Sequence, residues 1–180
     1  MTTTISQIYI INKIKSALGN WSSCYWPIYV NSGVDEALKC AESAIEAIRK
    51  LDFNKAREAL KKAVAIEEKY GDSPVYSRPL QYLEDFMDQV ITIKICVEEE
   101  ALQTGFCCCM DCVNGYIQQL EKATEEVAEE TGLNIEFQPV SNVLEEADIW
   151  TDWFVLTLIR KIFDKVEFKE SHETRKEETE

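Results

Sequence analysis

Glycine and proline are scarce in this chain, six and four among 180 residues. Turns that demand either residue are therefore few. That excludes an all-β protein punctuated at short intervals and leaves room for long helices. Histidine is scarcer still: the one copy, His172, stands in a charged C-terminal run. The folded part thus has no Cys–His or Ser–His pair for nucleophilic catalysis. No Glu-x-x-His occurs, which excludes the usual ferritin-like di-iron bundle. Neither a phosphate-binding glycine loop nor a dinucleotide fingerprint is present. A long apolar run is missing too. The most apolar stretch, Trp150 to Phe168, is interrupted by Asp152, Arg160, Lys161, Asp164, Lys165 and Glu167, so it cannot face lipid. Lys13 and Lys15 follow the first apolar residues instead of preceding them, so no secretory leader is read and a cytoplasmic location is expected.

Basic charge is the most unevenly missing quantity. Residues 81–148 hold 16 acidic residues against two basic ones, Lys94 and Lys122, a local balance of −14 that equals the net charge of the whole chain. An acidic protein is a poor ligand for nucleic acid or an anionic membrane, because phosphate contacts need Lys and Arg. A partner selected by charge is therefore a basic protein. The acidic clusters Glu98-Glu99-Glu100 and Glu125-Glu126 with Glu129-Glu130 read first as solvated faces, and a divalent-cation site is a less specific alternative.

What is present, 46% hydrophobic and 29% charged residues, is the composition of a folded globular protein. Apolar residues at helical spacing predict helices over about 4–18, 34–51, 54–70, 80–103, 116–131 and 148–168. Gly19-Asn20 is read as the stop of the first, and Pro74 and Pro79 as brackets of a linker. Val90 to Val97 has an alternating, β-branched character that competes for a strand, but the helical patterns at Gln81–Gln89 and Glu98–Leu102 favour helix. Leu133 to Phe137 is a short extended candidate, and Ser141 a cap for a short helical turn. The expected architecture is all-α: one domain over residues 1–168, a bundle of five to seven helices with an antiparallel Ala-rich hairpin. A charged, flexible tail over 169–180 follows.

The hairpin at 34–70 carries Leu51-Asp52-Phe53 between its helices, then Ala56, Leu60 and Ala63 as small, large and small residues. In these positions it resembles a single tetratricopeptide-repeat unit, departing from that pattern at Cys40, Ala47 and Glu68. The resemblance implies a helical hairpin and a protein-binding role. Similar hairpins occur in helical nucleotide-processing (HEPN-like) families, but their Arg-x4-6-His signature is absent.

Seven cysteines are many for a cytosolic chain, and four lie together in Cys107-Cys108-Cys109-Met110-Asp111-Cys112. On one helix Cys109 joins a core stripe with Phe106, Val113, Ile117, Leu120, Thr124 and Val127, while Cys108 and Cys112 stand at i and i+4. A turn at Asn114-Gly115 would instead make Cys109 and Cys112 a CxxC knuckle. A zinc or iron–sulfur site would then draw on Cys96, Cys107, Cys108 and Cys112. The surrounding negative charge raises thiol pKa and opposes thiolate catalysis. Reduced, structural cysteines without a cofactor are the first expectation, metal binding the second.

The leading functional expectation is a small, non-catalytic protein–protein interaction chain, open to self-association. Trp21, Tyr25, Trp26 and Tyr29 in an uncharged aromatic segment are its candidate anchors. The alternatives are the cysteine-based metal module and an acidic decoy that occupies a basic nucleic-acid-binding partner.

Overall fold

A computed structural model describes residues 7–24, 32–70, 75–96, 110–140 and 153–166. Six helices and two strands follow in order: α1 (Gln7–Cys24), α2 (Ser32–Arg49), α3 (Phe53–Tyr70), α4 (Ser77–Asp88), β1 (Val90–Cys96), α5 (Met110–Thr131), β2 (Asn134–Val140) and α6 (Trp153–Lys165). The protein is mostly helical, as its scarce punctuation predicts. Among the described residues no helix is long and apolar enough to cross a membrane.

The α2–α3 hairpin is the most tightly packed pair. Ala37, Ala41, Ala44 and Ala47 on α2 and Ala56, Ala59 and Ala63 on α3 are all buried, and such small residues let the two axes approach closely. Leu51 turns the corner in the left-handed region, at φ 60°, where glycine is the usual residue. That conformation costs a leucine roughly 1–2 kcal/mol. Leu51 is almost fully buried, and burial returns roughly 1.5–3 kcal/mol. Burial outweighs the strain, and leucine is kept. Asp52 then caps α3, its Oδ1 accepting the Lys55 N–H at 3.0 Å.

Three aromatic rings join the helices into one core. Phe53, Phe86 and Phe154 from α3, α4 and α6 lie with centroids 5.4, 5.6 and 6.1 Å apart. Ile10 and Ile14 seat α1 in the same core cluster.

Four expectations are corrected. The helix expected over 80–103 stops at Asp88, and Val90–Cys96 is a strand. Its odd positions Ile91, Ile93 and Ile95 are buried while Val90 is exposed, so the β-branched alternation decided the outcome. Its partner is β2, parallel, with register from Val90↔Asn134 to Cys96↔Val140. Parallel strands need a long crossover, and α5 lies between them in sequence and packs on β2. The bundle therefore contains a β–α–β unit. Second, α1 runs through Gly19-Asn20 to Cys24, because one glycine costs a helix only about 1 kcal/mol. Third, Asn114-Gly115 lies inside α5 and makes no turn. Fourth, Pro79, read as a linker bracket, is buried in the first turn of α4, where a missing N–H costs nothing.

Candidate functional site

The last helix is apolar beyond what one core face needs. α6 reads Trp-Phe-Val-Leu-Thr-Leu-Ile-Arg-Lys-Ile-Phe-Asp-Lys, eight apolar residues among 13. Phe154, Val155, Leu158, Ile162 and Val166 recur at three- and four-residue steps and are buried. Ile159 is buried as well, and half-buried Leu156 and Phe163, the latter still packed against the core, extend the apolar surface beyond it as a second stripe rotated round the helix. With Thr157, Arg160 and Asp164 at its rim, this stripe lines an open groove of about 360 Å³. A helix with apolar residues on two faces is ordinarily covered on both. α6 packs mainly on α5.

On the opposite flank α6 is tied down by charge. Lys165 Nζ donates to Glu130 Oε1 at 2.5 Å and stands 3.8 Å from Glu126 Oε2. The hydrogen bond from Lys165 holds the Glu130 carboxyl below its usual range, and the same bond raises Lys165. Glu130 is exposed and Lys165 half-buried at the surface, so the pair fixes orientation more than stability.

A second concentration of polar chemistry lies under the hairpin. Glu67 is 1% exposed. Its carboxylate accepts the Val75 N–H at 3.0 Å and the Tyr76 N–H at 3.2 and 3.3 Å. Tyr76 precedes α4 and carries no side-chain cap, so Glu67 supplies the acceptor that caps α4 from another helix. Burial, then the Glu67 charge, then those of Glu42 and Cys40, push the Tyr76 phenol well above its ordinary value. This arrangement anchors α4; it presents no nucleophile paired with a base.

The sequence-predicted site residues fall in three groups. Of the metal candidates, Cys96 ends β1 and Cys112 lies in the first turn of α5, while Cys107 and Cys108 lie outside the described residues. Parallel strands with a crossover helix bring the end of β1 and the start of α5 to one end of the unit. Of the aromatic anchors, Trp21 lies in α1, and Tyr25, Trp26 and Tyr29 lie outside the described residues. Of the acidic patch, Glu125, Glu126, Glu129 and Glu130 lie on α5, with Glu125 and Glu129 exposed and Glu126 and Glu130 drawn to Lys165. Glu98, Glu99 and Glu100 lie outside the described residues, as do the Ser141 turn and the tail at 169–180. Cys40 is a half-buried free thiol.

Sequence reasoning missed Glu67 and the second stripe of α6. Both had a signal. Glu67 continues the series Ala56, Leu60, Ala63 at helical spacing, so it stands on the buried face of α3. Leu156 and Phe163 stand seven apart beside the core stripe. No protein-family profile, curated protein or solved structure matches this chain.

Proposed function

We propose that this chain is a non-catalytic, cytoplasmic protein-interaction protein and that α6 is its contact helix. The observation that carries this reading is the half-buried apolar stripe Leu156 and Phe163, with buried Ile159 between them, lining a groove large enough for side chains of a partner helix. The histidine-poor composition and the absence of a nucleophile–base pair among the motifs support a binding role over an enzymatic one. Self-association through the same stripe belongs to this reading.

A photo-crosslinking residue placed at Leu156 or Phe163 tests it in cells. Adducts to a protein or to a second copy are expected at both positions, and none at the exposed Lys62 of α3. Equal yields at all three positions would overturn it. The acidic-decoy reading draws on a different surface: Glu121, Glu125 and Glu129 are exposed on α5, with Lys122 its only cation. It requires a basic partner whose capture weakens with salt and fails when these glutamates become glutamines.

A further inference from the structure

Between α1 and α4 lies an open cavity of about 320 Å³, lined by Lys13, Ser16, Ala17, Val75, Arg78, Pro79 and Tyr82. Its charge runs against the chain. The protein carries 33 acidic residues against 19 basic ones, yet the described lining holds two cations and no carboxylate.

Lys13 is held in place. Its Nζ lies 5.2 Å from the Tyr9 ring centroid and 5.3 Å from that of Tyr82, whose rings meet edge to face at 6.2 Å. Two rings attract an ammonium through their faces, so its position is set before any ligand arrives. Neither Lys13 nor Arg78 has a carboxylate within ion-pair distance among the described residues, whereas Arg49, Lys50, Lys61, Lys122 and Lys165 do. Arg78 is exposed in the first turn of α4 and offers a planar fork of donors. The Val75 N–H is already given to Glu67 and is not a donor to the cleft. Buried Ala17 and Pro79, with half-buried Val75 and Tyr82, supply an apolar wall.

We propose that this cleft binds a small organic phosphate whose apolar or aromatic body lies against Tyr82, Pro79 and Val75. Arg78 takes two phosphate oxygens, and the tyrosine-held Lys13 and the Ser16 hydroxyl complete the anion's partners. The volume is at the lower end for small-molecule pockets, which fits one ring with one phosphate. A bare anion leaves the apolar wall unused, and a neutral ring leaves both cations unused.

The test is an NMR titration of the full chain with three probes: phenyl phosphate, inorganic phosphate and phenol. Phenyl phosphate is expected to give saturable shifts confined to α1 and α4, inorganic phosphate weaker ones, and phenol none. Arg78→Gln and Lys13→Gln should each weaken phenyl phosphate binding by about tenfold or more. Lys62→Gln, which removes an exposed lysine of α3, should leave it unchanged. Both substituted cations line an open cleft, and unchanged spectra away from it verify the fold. Absence of saturable shifts, shifts spread over many lysines, or equal weakening by Lys62→Gln would overturn the proposal.

Discussion

Single residues explain where this fold departs from what its pattern suggests. Glu67 reads as one more charge in a charged helix, yet it is the buried acceptor on which the start of α4 depends. Tyr76, fully buried beside it, is held neutral by burial and by that carboxylate. The sign follows from linkage: a phenol whose pKa is raised in the folded state loses its proton more readily once unfolded. Its contribution is fully present below the ordinary value of 10.0 and is lost as pH rises from there towards the raised one. Chemical denaturation across alkaline pH should therefore show the wild-type chain losing stability more steeply above pH 10.0 than Tyr76→Phe does. Identical alkaline slopes in the two proteins would contradict the assignment.

At the scale of elements, the helices were largely legible, and of the sheet only β2, where the extended piece expected at Leu133–Phe137 falls on Asn134–Val140. The hairpin at 34–70 was readable because alanine-rich stripes, Asp52 as a cap and Leu51-Asp52-Phe53 as a corner all agree. The stripe Ile117, Leu120, Thr124 and Val127 faces inward on α5 as its spacing requires. β1 was misread because its choice of strand depends on β2, 38 residues beyond its end at Cys96, which lies outside any local window. Only the alternation of Ile91, Ile93 and Ile95 pointed to it. The turn signal Asn114-Gly115 failed for the opposite reason: a long amphipathic helix on both sides outweighs one dipeptide.

Where α5 gives way to β2, glycine is required. Gly132 has φ +76° and its N–H bonds to Ala128 O at 2.9 Å. A Cβ there would stand 2.5 Å from Asn54 Cγ, displacing a side chain whose Nδ2 donates to Glu129 O. Gly132→Ala should destabilise the chain by about 1–3 kcal/mol, from left-handed strain plus the lost contact between α3 and α5. A neutral denaturation midpoint would show that this junction relaxes freely.

For the whole molecule, one three-ring core and one small β–α–β unit hold together helices that all have a packed face. On α6, half-buried Leu156 and Phe163 extend the apolar surface past the core to the edge of a groove, and the functional reading rests there. Of the candidate surfaces, the acidic patch on α5 was legible as charge, because charge needs no fold to be counted. The α6 groove was not, because Leu156 and Phe163 adjoin the core residue Ile159 and spacing alone does not tell them from core. The most direct measurement is fluorescence of a dye that lights up on exposed apolar surface, added to the folded chain. The account predicts saturable enhancement by wild type, most of it lost in Leu156→Lys and Phe163→Lys while both keep native helicity and unfold cooperatively. A wild-type chain that leaves the dye dark, or enhancement unchanged in both variants, would contradict an open contact face on α6.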